Sequence, residues 1–344
     1  MGLFSKKQSD EEYARLKTMA INDYNRLLVW NPFASAEVLR DKWNNMFQQM
    51  KQVYKLSKKY IDTQDDVILI KNYMERATAN SNEYNHEVEY LQYKEEFDGI
   101  YNRYKELEED KSNMMDSFGD AFQCFQIFEE LYNRVVVVYK NYNKFSNDNL
   151  DPLYLDEMYN GIAYYYCGFM LNNLYYEFSD GRVLNWDYKK ECIEKCEKIA
   201  KGFAEERFKV LVGIAEYEMG ELWKESAQNA PRDRANELYN RVLNCRKSSV
   251  YSLNIIENRS YCMKCSVFNP MEWHYLKMAF WDLYTVYIYT NKDHGKAYSL
   301  VNMMIETQDL NANFSDAAGK FISQLKDELG HFKQGLFGGW KYNE

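Results

Sequence analysis

The sequence predicts an all-α fold, and three observations carry that prediction. Its 344 residues include only 15 Gly and 4 Pro, too few turn formers for a sandwich or barrel of short strands. Apolar side chains recur at three- and four-residue steps over long stretches, the period of one helix face. The prolines stand where helices start: Asn31-Pro32, Asp151-Pro152 and Asn269-Pro270 put Pro directly after a capping side chain, and Pro231 lies two residues after Asn229. Aromatic residues form 17 % of the chain and include 31 Tyr, which supplies core material and excludes a disordered chain.

Residues 1–8 read as a flexible N-terminus. Ser9-Asp10-Glu11-Glu12 is a capping box, and behind it Tyr13, Leu16, Ala20, Tyr24 and Leu27 line one face of a helix ending near Trp30. Asn31-Pro32 breaks that helix. Leu39, Trp43, Met46, Met50, Val53 and Tyr60 then follow a heptad frame, missing only at Ser57, so this helix packs on a neighbour at a shallow, coiled-coil-like angle. Asp62 to Asp66 is a polar connector, and Val67 to Met74 opens a helix that Asn80-Ser81-Asn82 is expected to interrupt. Tyr84, Val88, Leu91, Ile100, Tyr104 and Leu107 resume the pattern. After Glu108 to Lys111, Phe118, Phe122, Phe125, Tyr132, Val135, Tyr139 and Tyr142 line another helix, which contains Val135 to Val138 despite their β-propensity. Residues 9–145 are thus expected to form an antiparallel bundle, bounded by the polar stretch Asn143 to Pro152.

From 150 to 331 the helices shorten and pair. Trp281, Tyr284, Thr285, Ile288, Ala297, Val301 and Met304 can be laid on the tetratricopeptide-repeat pattern, in which a large aromatic is followed sixteen places on by a small residue that lets the second helix approach. With Lys292 to Ala297 as the inter-helix turn, this segment resembles a tetratricopeptide repeat, with Thr285, Met304 and Asp309 departing from the family pattern. Tyr159, Ile162, Ala163 and Tyr166 resemble the first helix of another repeat. Its partner would be Asp187 to Ala200, packing through Cys192, Cys196 and Ile199, after a longer connector than the family uses. Ala235, Tyr239 and Val242 match a second helix only. The resemblance implies hairpins that bind a peptide or partner helix in a groove. By helix-face position, Tyr164, Tyr165, Asn172, Asn173, Tyr287 and Asn291 are the expected lining.

Lys plus Arg is 43 against 52 Asp plus Glu, a formal charge of −9, which disfavours nucleic acid as the main partner. Acidic runs such as Glu106 to Asp110 read as solvated helix ends, the alternative being a surface that steers basic partners. The seven Cys show no disulfide spacing and Met1 to Asp10 has no apolar signal region, so a cytoplasmic chain with free thiols is expected. The longest aliphatic run, Val135 to Val138, is far short of a membrane span. The opening Met1 to Lys6 departs from a myristoylation signal, with Lys where Ser or Thr is wanted.

Two sets of residues could hold a metal. Glu83/His86 and Glu328/His331 are Glu-x-x-His pairs, the half-motif of di-iron carboxylate bundles, set against the plain reading of solvated helix faces. Cys262 and Cys265, with Cys245 and His274, offer a zinc-type soft set, set against ordinary thiols. A redox role would need a βαβ setting that the sequence lacks. Phosphate loops and nucleophile elbows are absent, so no catalytic residue or cofactor is assigned. Finally, Gly335 to Lys341 alternates glycine with Leu336, Phe337 and Trp340. This 332–344 tail either folds back on the last hairpin or docks these side chains on another protein, with membrane contact by the two termini a further option. The combined expectation is a non-enzymatic protein-binding scaffold. Its alternatives are a helical subunit of a large assembly, such as a virion or secretion machine, and a metalloprotein.

Overall fold

The structure, a computed structural model, describes residues 2–29, 34–60, 64–109, 121–146, 151–177, 181, 183–254, 269–308, 316–335 and 338–343. Among them the fold is all-α. The helices are α1 (Gly2–Leu28), α2 (Ala36–Ser57), α3 (Gln64–Glu109), α4 (Ala121–Asn141), α5 (Pro152–Asn172), α6 (Trp186–Ala200), α7 (Glu206–Gln228), α8 (Arg232–Leu253), α9 (Asn269–Thr285), α10 (His294–Gln308) and α11 (Asp316–Gly330). A two-stranded antiparallel hairpin, β1 (Phe332–Gln334) and β2 (Trp340–Tyr342), follows. No helix among the described residues is long and apolar enough to cross a membrane.

The chain divides into two compact units, Met1–Gly99 with Asn141–Leu150, and Ile100–Lys140 with Asp151–Glu344. The chain passes between them inside α3, at 99/100, and again at 140/141 and 150/151.

In the first unit α1, α2 and the start of α3 share one core. Tyr13, Ala20 and Tyr24 meet Trp43, Met46, Met50 and Val53, with Ile70 and Ala77 closing it. Tyr24 meets Trp43 edge-on at 5.5 Å, and Tyr13 stacks on Tyr60 at 5.1 Å. Ser57 is no gap in the heptad stripe: it is buried, and its hydroxyl donates to the Tyr54 carbonyl at 2.8 Å. Ser35 caps α2 by accepting from the Val38 amide. Two expectations are corrected here. Helix α1 starts at Gly2, so the 1–8 stretch is helical from there and the Ser9 box lies inside the helix; nothing between Leu3 and Gln8 breaks one. Helix α3 runs unbroken through Asn80-Ser81-Asn82, because the buried Ser81 hydroxyl donates to Asn44 Oδ1 of α2 at 2.5 Å, which satisfies the group that would favour a break. Phe145 packs on Tyr93 at 4.7 Å, and burial pushes the Tyr93 hydroxyl up to about 12.

In the second unit α4 and α5 join through a ladder of rings: Phe128 against Tyr165 at 5.0 Å and Phe169 at 5.5 Å, and Tyr132 against Tyr166 at 5.0 Å. Asp151 caps α5 by accepting from the Leu153 amide at 2.9 Å, with Pro152 in the first turn. Helix α5 is buried on every side from Gly161 to Leu171. Helix α6 meets it through Cys196, whose thiol reaches the Cys167 carbonyl, while the Cys167 thiol reaches the Cys196 carbonyl. Beyond α9 the chain winds into one π-helical turn, Val286–Thr290, and Lys292 takes a φ of 51° before α10.

Candidate functional site

Helices α7 and α8 form the tightest hairpin of the second unit, and glycine is the reason. A Cβ on Gly213 would lie 2.5 Å from Leu253 Cγ, and one on Gly220 would lie 2.5 Å from the Arg246 guanidinium. The two contacts are seven residues apart on each helix, so bare backbone on α7 receives large side chains from α8 two turns apart. Ser249 reinforces the approach by donating to the Gly213 carbonyl at 2.7 Å.

Arg246 is 1 % exposed yet fully engaged. It donates to Asp282 of α9 at 2.8 Å, to the Tyr217 carbonyl at 2.7 Å and to Glu221, and lies 3.8 Å from the Tyr217 ring centre. A planar guanidinium serves three acceptors in one plane, which an ammonium does not. One turn away, the buried Glu218 accepts from Tyr275 of α9 at 2.6 Å and from Tyr175. Burial pushes the Glu218 carboxyl up, and the two hydroxyls pull it partly back. These nodes tie α7, α8 and α9 together around two buried charges, Arg246 and Glu218. They position a site without forming one.

An accessible groove of about 780 Å³ lies where α7 starts and α8 ends. The end of α6 (Ala200, Lys201), Phe203, the start of α7 (Glu206, Lys209, Val212), the end of α8 (Tyr251, Ser252, Asn254) and the end of α10 (Met303, Thr307) line it. Tyr251 is 81 % exposed there. Below it, Gln308 is buried and donates to Asn254 Oδ1 at 2.6 Å, and Asn254 donates to Thr307 at 3.1 Å, which locks the junction of α8 and α10. The groove joins helix ends more than 100 residues apart, and no local pattern in the sequence announces it.

The residues expected to line a groove are elsewhere. Tyr164, Tyr165, Asn173 and Tyr287 are buried, a correction. Tyr165 packs on Phe128 and Tyr164 on Phe208, because α5 is covered on both sides and exposes no concave face. Asn173 donates to the Phe169 carbonyl at 2.8 Å as part of the helix end. Asn172 is half-buried, and Asn291 is exposed at the close of the π-turn, its amide donating to the Val286 carbonyl. Leu336 and Phe337 lie outside the described residues. Trp340 is half-buried and stacks face to face on Tyr298 of α10 at 3.5 Å, so the described part of the tail folds back on the last hairpin. Tyr342 completes that contact by donating to Glu328 at 3.1 Å and, through its amide, to His294 Nδ1.

The metal candidates have other occupations. Glu328 accepts from Tyr284 at 2.6 Å as well as Tyr342, and His331 Nδ1 bonds the Asn343 carbonyl. Glu83 and His86 are exposed. Cys245 packs over Gly220, and burial pushes its thiol up to about 11. His274 is exposed on α9, and Cys262 and Cys265 lie outside the described residues. Among the described residues no group of three or more His, Cys, Asp or Glu is placed to hold a metal.

No family model matches the chain, and no curated protein matches it. A solved structure of computationally designed, self-assembling cyclic homooligomers is similar over 93 % of this chain and 98 % of that one, at 9 % identity and a TM-score of 0.17. A likeness of that size does not bear on function.

Proposed function

We propose that this chain is a non-enzymatic interaction protein that binds a segment of a partner protein in the groove between the ends of α6, α7, α8 and α10. The observation that carries this reading is the groove itself. It is open and partly apolar, it lies on a rigid floor of hydrogen-bonded side chains, and Tyr251 stands exposed in it. Partner segments are gripped by such combinations of a preformed cleft and a few aromatic anchors.

The test is a comparative pull-down from native-host lysate read by mass spectrometry. It uses the full chain and a Tyr251→Ala, Met303→Ala variant whose helicity is checked by circular dichroism. A partner held by the full chain and lost by the variant is the expected result. Equal recovery by both removes the groove from the reading. Recovery of the chain alone, together with a defined oligomer in light scattering, would favour the assembly subunit instead.

A further inference from the structure

Most polar groups lining the groove are already engaged. Lys201 is paired with Glu197, Ser252 donates to Glu216 at 3.0 Å, Asn254 donates to Thr307, and Thr307 donates to the Met303 carbonyl at 2.8 Å. Glu206 differs: its Oε2 is buried and has no hydrogen-bond partner among the described residues. A buried carboxylate oxygen without a donor is costly, so its place in a ligand-sized groove is informative. Counting the lining and its direct partners, three carboxylates (Glu197, Glu206, Glu216) stand against two ammoniums (Lys201, Lys209). The whole chain carries a formal charge of −9, which favours encounter with basic segments.

The walls narrow the choice of donor. Phe203 and Tyr251 are aromatic, and Val212 and Met303 are aliphatic. An ammonium is strongly hydrated and loses that water on entering such a cleft. A guanidinium is more weakly hydrated, stacks on aromatic faces and offers two parallel N–H groups to one carboxylate. From this we infer that the groove recognises an arginine of a basic partner segment. The guanidinium donates to Glu206, and the aliphatic stem lies along Val212 and Met303. This rests on the groove being the partner site, and it adds the chemistry of what enters.

Met303 provides a readout inside the cleft. The full chain, labelled with 13C at its methionine methyls and with the Met303 signal assigned from a Met303→Leu variant, is titrated with acetyl-arginine amide. Acetyl-norleucine amide and acetyl-citrulline amide serve as controls for stem and shape. The Met303 methyl is expected to shift saturably with the arginine probe and to stay put with both controls. In Glu206→Gln, which keeps size and fold, affinity for the arginine probe should fall roughly ten-fold or more, the loss of one charge-assisted contact. A Met303 signal that ignores arginine, that responds equally to norleucine or citrulline, or that titrates unchanged in Glu206→Gln overturns the assignment. Such a failure leaves the pull-down result standing, so a groove that binds partners by other chemistry remains distinguishable from a groove that binds none.

Discussion

Replacing Gly220 by Ala sets two opposed effects against each other at one atom. In a helix interior the change gains about 1 kcal/mol of helix propensity. The added Cβ, however, would lie 2.5 Å from the Arg246 guanidinium and 3.2 Å from Cys245 Cβ. Ordinary contact is about 3.5 Å, so the guanidinium retreats by roughly 1 Å. It cannot do so and keep its bonds to Asp282, Glu221 and the Tyr217 carbonyl, because all three hold one rigid plane. Losing one bond to a charged group costs about 1.5–3 kcal/mol, and the lower half applies because Asp282 is 43 % and Glu221 30 % exposed. With overpacking of about 1 kcal/mol offsetting the propensity gain, the net expectation is a loss of about 1.5–2 kcal/mol. A double-mutant cycle in urea isolates the cause. In an Arg246→Ala background the closer obstacle is gone and only Cys245 Cβ at 3.2 Å remains, so the same Gly220→Ala change should be neutral or stabilise by up to about 1 kcal/mol, giving a coupling of about 1.5–3 kcal/mol. Gly330→Ala, at a helical position with nothing within 4 Å, is the control and should stabilise in either background. If Gly220→Ala costs the same with and without Arg246, the guanidinium is not what the bare backbone accommodates, and the reasoning fails.

Two further predictions concern charge and the tail. The Glu218 carboxyl is raised above its ordinary 4.5 by burial, so the folded state holds that proton more tightly than the unfolded chain. Its contribution is therefore fully present below that ordinary value and lost as pH rises through the folded one. Glu218→Gln should flatten the profile, leaving the variant more stable than the parent near pH 7–8 and no better near pH 4, read from urea midpoints across that range; a parallel profile would show that Glu218 is not the titrating group. Trp340→Ala removes the stack on Tyr298, worth about 0.5–1.5 kcal/mol beyond the area it covers. Amide exchange should then speed in β1, β2 and the end of α11 while α7 and α8 stay protected; unchanged exchange in the strands would mean the ring does not hold the hairpin down.

Helix existence was legible because it is written locally. The heptad of α2, the Asp151-Pro152 start of α5 and the helical valines 135–138 follow from spacing and caps, and the structure has them. One expectation failed on a partner distant in sequence and another on a local signal. The Asn80-Ser81-Asn82 break was expected from local propensity and is prevented by Asn44, 37 residues away. Helix-face position points to Tyr164 and Tyr165 as lining, but Gly161 to Leu171 contains no charged residue, and a helix apolar all round is a buried helix. That signal was available. No comparable signal marks the groove, whose walls are helix ends brought together only by tertiary packing. Arg246 is a middle case: in Cys-Arg-Lys-Ser it reads as a surface cation, and only the glycines on the facing helix, seven apart, indicate where it goes.

Those glycines alone leave the hairpin register undetermined. Gly213 and Gly220 are seven residues apart on α7, and Leu253 and Arg246 are seven apart on α8, so sliding one helix by two turns would again put bulk over bare backbone. The polar node removes the ambiguity. In the observed register Arg246 meets Glu221; slid by seven towards Gly213 it would meet Ile214 at the corresponding place, and a buried guanidinium would lose a charged acceptor. Slid the other way, Arg246 would lie over Ala227, whose methyl occupies the space that glycine leaves open. A buried charge of this kind adds little net stability once its desolvation is counted, and its value lies in penalising the alternatives. The register in turn sets which end of α8 meets the start of α7, and therefore whether Tyr251, Ser252 and Asn254 arrive beside Glu206 to make the groove at all.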